Sequence, residues 1–229
     1  MVDIRANVKR VKERVAEAAL RAGRDPSEIT IVAVSKNFPV EAIEEAIEAG
    51  ITDIGENRVQ EAEAKFNRIG RVVRWHMVGH LQRNKVKKAL NIFDLIHSVD
   101  SVRLLEELEK RAAQRGEVVE VLVQVNTSGE ETKFGLKPEE VEGFMEIAAQ
   151  KEHVRVLGLM TIGPLVDDPE KARPCFAMLR EIKERVEGMK LPNVEMRHLS
   201  MGMTNDFEVA IEEGADMVRI GRAIFGPRG

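Results

Sequence analysis

A two-part unit repeats along the chain and limits the fold more than any other feature: a short β-branched apolar run, then a charged stretch whose apolar residues recur every three or four positions. The first run, ITIVAV over residues 29–34, is almost continuously apolar, the pattern of a strand covered on both faces as in a parallel sheet. Strands are expected over 29–34, 53–55, 71–78, 95–99, 118–125, 154–160, 194–199 and 217–220. Between them the period changes to the helical one, over 42–49, 59–66, 84–90, 102–115, 138–149, 169–187 and 206–213. One further helix, over 3–22, precedes the first strand, with Ile4, Val8, Val11, Val15, Ala18 and Ala19 on one face and Gly23 at its end.

Alternation of strand and helix through short links requires right-handed crossovers and a parallel sheet. Eight such units in 229 residues suit a closed (β/α)8 TIM barrel better than an open doubly wound sheet. The expected fold is α/β, a single barrel domain over residues 1–229 with an extra N-terminal helix; no Gly/Ser linker or low-complexity stretch marks a boundary. Lys plus Arg total 35 against 39 for Asp plus Glu, a net charge of −4, so no global basic field draws nucleic acid or an anionic membrane, and any anion site must be local. The single cysteine, Cys175, excludes an internal disulfide framework, residues 1–7 lack a signal-peptide core, and no apolar run reaches the ~18 residues of a membrane span. A cytoplasmic location is the expectation.

Barrels carry their chemistry at the C-terminal ends of the strands. Here those ends read Ser35-Lys36-Asn37, Gly55-Glu56-Asn57, Gly79-His80, Ser98-Val99-Asp100, Asn126-Thr127-Ser128, Met160-Thr161, Ser200-Met201-Gly202 and Gly221-Arg222, polar or glycine after greasy strands. A ring of this kind suits a pocket mouth, although loop starts also meet water. Lys36 follows a core-like run and is expected inside the rim, where desolvation favours the neutral, nucleophilic amine that an aldehyde would trap; the alternative is a rim lysine paired with a carboxylate such as Glu56. Ser200-Met201-Gly202-Met203-Thr204-Asn205-Asp206 leads into a helix, and Gly221-Arg222-Ala223 follows the last strand. Glycines that admit a ligand to the backbone, hydroxyl donors and a helix start suit a phosphate, while Thr204 or Asn205 would serve equally as an ordinary helix cap. Strand eight closes on strand one, so an aldehyde bearing a phosphate, either pyridoxal 5′-phosphate (PLP) or a sugar-phosphate aldehyde, would bridge the two features.

The segments AVSKNFPVEAIEEAIEAG, DIGENRVQEA, WHMVGHLQRNK, VLVQVNTSGEETKFGL, GLMTIG and LSMGMTNDFEVAIEEGADMVRIGRAIFG span 33–226 and resemble, in order and spacing, the PLP homeostasis family (YggS/PROSC), itself similar to the barrel domain of alanine racemase. The resemblance implies an internal aldimine between Lys36 and PLP, with Asn57 near the ring and Ser200, Gly202 and Gly221 around the phosphate. Met201 and Met203, flanking Gly202, are candidates to touch the cofactor; Arg222 either pairs with the phosphate as a charge or points outward; and His80 is either a substitute base at the site or, as lone histidines near strand ends more often are, structural. The resemblance places Arg219 opposite the pyridine nitrogen. An arginine there can only donate, so the nitrogen stays unprotonated and the ring is a weak electron sink; an interior ion pair of Arg219 with Glu56 is the structural alternative. The chain departs from the family pattern at Phe38, where many members have a second lysine, at Arg58, where some have tyrosine, and at Arg222, where a hydroxyl donor to the phosphate is usual. Residual catalysis, as a weak racemase or a Schiff-base aldolase on a phosphorylated aldehyde, is the competing reading. Racemisation needs bases on both faces of the ligand, and the chain has no tyrosine and no second, β-rich domain. The expectation is therefore a non-catalytic carrier: a cytoplasmic monomer that stores, buffers or delivers PLP, with apo-enzymes as recipients.

His76 and His80 stand at a metal-like spacing, but on a strand running into a turn, so no metal is expected. The run Arg83, Lys85, Lys87 and Lys88 reads as a solvated helix face without interleaved aromatics. Cys175 has no activating neighbour in sequence. Lys133, in a long loop, is read as an exposed lysine, with participation in PLP transfer as the functional alternative; unchanged transfer rates in Lys133→Ala would dismiss that alternative.

Overall fold

The computed structural model describes residues 2–227. Eight strands, β1 (Thr30–Val34), β2 (Asp53–Glu56), β3 (Arg74–Met77), β4 (Leu95–Val99), β5 (Val119–Gln124), β6 (Val154–Met160), β7 (Val194–Ser200) and β8 (Met217–Ile220), close into one parallel barrel in chain order. β8 pairs with β1 through Val32 opposite Arg219 and Ala33 opposite Ile220. Around it run α1 (Ile4–Arg21), α2 (Val40–Glu48), α3 (Val59–Ile69), α4 (Val86–Ala89), α5 (Val102–Arg115), α6 (Val141–Ala148), α7 (Arg173–Gly188), α8 (Phe207–Glu212) and α9 (Arg222–Phe225). No helix among the described residues is long and apolar enough to cross a membrane.

Strand periodicity sorts the side chains into two layers. Ala33, Ile54, Trp75, Ile96, Val121, Val218 and Ile220 face outward into the cluster that the helices cover. Leu95, Leu122, Leu157, Met160 and Met217 form a separate apolar cluster with Ile162, filling part of the barrel interior. Alternation sends Val32, Asp53, His76, His97 and Arg219 to the inside as well, so part of the interior is polar.

Where the structure departs from the sequence reading, local chemistry explains it. The third strand begins at Arg74 instead of 71 because Arg71 pairs with Asp94 at 2.9 Å and lies over the Phe66 ring at 5.2 Å, holding the preceding segment off the ladder. The helices expected from 84 and 138 start as 3-10 turns, Arg83–Lys85 and Pro138–Glu140; in the second, the Glu140 carboxylate accepts the Lys137 N–H at 2.8 Å. α9, with only Ile224 and Phe225 buried, is too short to leave a helical period in the sequence.

The β7–β8 seam is in register at Ser200 with Met217 and continues into the following loop, with the N–H groups of Asp216, Met201 and Arg219 bonded to the carbonyls of Leu199, Met217 and Gly202 at 3.2, 3.1 and 2.9 Å. α1 and the turn after it brace this side of the barrel: Arg14 of α1 grips Glu208 of α8 through two bonds of 3.1 and 3.0 Å, and Arg24, just past the helix, donates to the carbonyls of Ile211 and Ala215 at 3.1 and 2.6 Å. The extra helix is thus part of the closure.

Candidate functional site

Lys36 sits in the turn that leaves β1, half-buried, and neighbours on both sides of it are clamped. Ser35 donates its hydroxyl to Glu56 Oε1, Lys65 Nζ donates to the Ser35 carbonyl at 2.8 Å, and the Asn37 N–H donates to Glu61 Oε1 at 2.6 Å. Asn37 takes a left-handed φ of 66°, a conformation asparagine tolerates better than most residues. The clamp converges on Lys65, which lies buried on α3 and also contacts Glu56 at 2.6 Å and Glu61 at 2.7 Å. Glu56 is fully buried with Oε2 unpartnered, and burial pushes its carboxyl above the usual range despite Lys65 and Ser35. Its parity on β2 matches Ile54 and not Asp53, so it faces α3; the ion pair of Glu56 with Arg219 considered from sequence does not form.

Across the β1–β8 seam, Arg219 is buried beneath the pocket. Its Nη1 donates to Ser200 Oγ at 2.6 Å and its Nη2 to the Thr161 carbonyl at 2.7 Å. Burial pulls the guanidinium down to about 10, partly offset by Asp206, so it remains a cation at neutral pH. After β7 the chain turns tightly: Gly202 has φ 91°, and a Cβ there would lie 2.6 Å from Ala210 Cβ and 2.8 Å from Phe207 Cα. Asp206 Oδ1 accepts the Met203 N–H at 2.6 Å, and burial raises its carboxyl. Among the described residues, the main-chain N–H groups of Thr204, Asn205, Gly221 and Arg222 make no hydrogen bond within the chain.

These features share one cavity of about 740 Å³, a volume suited to a small cofactor. Lys36 and Asn57 stand on one side; Met203, Thr204, Asn205, Asp206, Gly221 and Arg222 on the other; Arg219 and Val34 lie between them, and Ile162, Pro164, Leu165 and Val166 add an apolar wall. An amine, a buried donor-only cation and four unpaired N–H groups around one cavity fit a flat ligand with an aldehyde and a phosphate. Among the described residues no cluster of ligating side chains could hold a metal ion.

The family described as alanine racemase, N-terminal domain, matches residues 3–229. A pyridoxal phosphate homeostasis protein of Aquifex aeolicus is 45% identical over 222 residues, covering 96% of each chain, and that of Escherichia coli K12 is 38% identical over 232 residues, covering 100% of this chain and 98% of its own. The chain belongs to the pyridoxal phosphate homeostasis protein family. Among solved structures, PipY of Synechococcus elongatus with PLP bound superposes with a TM-score of 0.82 at 36% identity, covering 94% of this chain and all of that one.

Of the family positions singled out from sequence, Lys36, Asn57, Met203, Arg219, Gly221 and Arg222 line the cavity. Ser200, Met201 and Gly202 are buried behind it. His80 stands outside the lining, 3.3 Å from Asp100 and stacked on Phe134 with ring centroids 4.0 Å apart. Arg222 lines the cavity and reaches Asn205 Oδ1 only at 3.5 Å. Phe38, standing where many members carry a lysine, stacks on Phe225 at 5.2 Å and walls the cavity. Lys133 is half-buried instead of exposed: it donates to Glu130 at 2.7 Å and to the Gly163 carbonyl at 2.9 Å, tying the loop after β5 to the loop after β6. Sequence reasoning missed the wall at 162–166, and Asp206 as part of the lining.

Proposed function

We propose that the chain binds PLP in this cavity through Lys36 and serves in PLP homeostasis as a carrier and not as an efficient catalyst. The observation that carries the reading is that Lys36, Arg219 and the unpaired N–H groups of the two loops line one cavity. PLP, when bound, supplies an aldehyde that condenses reversibly with a primary amine, with loss of water, and that a competing amine can reclaim. The chain's part is to hold the amine and the ligand in register. The Lys65 clamp fixes the turn that carries Lys36, Arg219 presents a donor to the ring, and the N–H groups at 204, 205, 221 and 222, with the Thr204 hydroxyl, receive the phosphate.

In this reading the molecule is a cytoplasmic monomer whose partners are PLP and the apo-forms of PLP-dependent enzymes. Two structural features support carriage over turnover. Arg219 is a cation that cannot protonate the ring nitrogen, and His80, the substitute base considered from sequence, is paired with Asp100 outside the cavity lining. The test is spectroscopic. PLP added to the wild-type chain gives a visible absorption band, and Lys36→Ala gives none; an unchanged band and unchanged PLP retention in that variant would refute the assignment. Holoprotein incubated with L- and D-alanine in deuterated water leaves the α-proton in place at the rate set by PLP alone, and exchange well above that rate would make the chain an enzyme.

A further inference from the structure

Five buried side chains form one hydrogen-bonded line through the barrel interior. Arg219 Nη1 reaches Ser200 Oγ at 2.6 Å, Ser200 Oγ lies 2.9 Å from His97 Nδ1, His97 Nε2 lies 2.9 Å from His76 Nδ1, and His76 Nε2 lies 2.8 Å from Asp53 Oδ1. The members come from β8, β7, β4, β3 and β2, and each is less than a tenth exposed. The far end is anchored too, since Thr52 donates its hydroxyl to Asp53 Oδ2 at 2.7 Å.

The end groups fix the direction of every proton. An arginine only donates, so Ser200 Oγ accepts from it. The serine has one proton, and the other side-chain atom bonded to Oγ is His97 Nδ1, so the proton points there and that nitrogen is bare. A neutral His97 then carries its hydrogen on Nε2 and donates to His76 Nδ1, which leaves His76 to donate from Nε2 to the Asp53 carboxylate. Each member is satisfied once. The opposite polarity would turn two donors on Ser200, leave the serine proton without an acceptor in the line, and add an imidazolium near a buried guanidinium, all costly in a desolvated interior. The charges agree. Burial first, with the nearby Arg219 guanidinium adding to it, holds His97 well below the ordinary imidazole range. Burial alone would raise the Asp53 carboxyl, but His76 and Thr52 outweigh it and keep it below its usual value.

We propose, building on the PLP reading above, that Asp53, His76, His97 and Ser200 are positioning residues that hold the Arg219 guanidinium toward the ring of the ligand, and that Ser200 serves that end and not the phosphate. The single serine proton is committed to His97, so it is not available to a phosphate oxygen; Thr204, which lines the cavity, carries that role with the loop N–H groups. The line is also an ion pair relayed through three neutral groups: the Asp53 carboxylate balances, at a distance, a cation that the described carboxylates do not touch through a hydrogen bond.

Two measurements test this. Nitrogen NMR of histidine-labelled protein without ligand, at ~pH 8, shows His76 and His97 both protonated on Nε2 and bare on Nδ1; a proton on Nδ1 of either ring overturns the proposal. In binding, Ser200→Ala weakens pyridoxal, which has the ring and aldehyde but no phosphate, roughly tenfold, and leaves the potency of inorganic phosphate as a competitor of PLP unchanged. Thr204→Ala does the reverse. A Ser200→Ala variant that loses phosphate competition while holding pyridoxal normally overturns the assignment. A wild-type chain that binds neither pyridoxal nor PLP overturns the carrier reading and this one with it; wild-type binding that Ser200→Ala leaves untouched overturns this one alone.

Discussion

At the scale of single residues, burial makes His97 a determinant of acid stability. Burial holds its titration in the fold well below the ordinary imidazole value of about 6.5, so beneath that pH the unfolded chain binds a proton that the folded chain does not. Stability from this group is therefore complete above pH ~6.5 and falls as the pH drops, by up to ~1.4 kcal/mol per pH unit, until the folded-state value is reached. Urea denaturation at pH 7 and pH 5 should show a steeper acid loss in the wild type than in His97→Gln; equal slopes would mean that His97 is charged in the fold. Neither this role nor its partners were legible in the sequence. LIHSV over 95–99 reads as an ordinary strand, and nothing local announces that its histidine meets another 21 positions away. Lys36 was legible for the opposite reason: a lysine just after a greasy strand has few places to go but the rim of the barrel, whereas Arg219 was singled out only through the family resemblance.

At the scale of elements, α3 does more than cover β2. Lys65 stands four positions after Glu61, a spacing common to solvated helix faces, yet its side chain is 6% exposed and ties α3 to the Lys36 turn. Lys65→Met strips the partner from the buried Glu56 carboxylate and should cost about 3 kcal/mol in urea denaturation. It should also speed amide exchange at Asn37, whose N–H is pinned by Glu61. A variant as stable as wild type, with unchanged exchange at Asn37, would show that the clamp is ornamental. Element boundaries themselves were readable wherever the caps are strong: α5 runs from the Ser101 cap, which accepts the Leu104 N–H at 3.3 Å, to Gly116 in the left-handed region at φ 64°. They were misread at β3 and at the 3-10 openings before α4 and α6, where ion pairs and turn geometry, not periodicity, decide the start.

At the scale of the whole molecule, the repeat of strand and helix predicted the closed barrel, and closure is what brings the end of β1 beside the end of β8. What the repeat could not show is that α1 and the turn after it brace the β7–β8 side of the barrel. A ligand that joins Lys36 to the loops after β7 and β8 should act as a further brace. At a free concentration ~100-fold above Kd, PLP contributes about 2.7 kcal/mol, which for a chain of this length raises Tm by roughly 5–10 °C. Lys36→Ala should lose most of that shift, and an equal shift in the variant would place the ligand elsewhere. The central claim, that one amine at the first strand end holds PLP against the loops of the last two, is tested most directly by borohydride reduction of the PLP-loaded protein followed by peptide mass mapping. The account predicts a single pyridoxyl-phosphate adduct, on Lys36; an adduct confined to another lysine, such as Lys65 or Lys133, or no adduct at all, would contradict it.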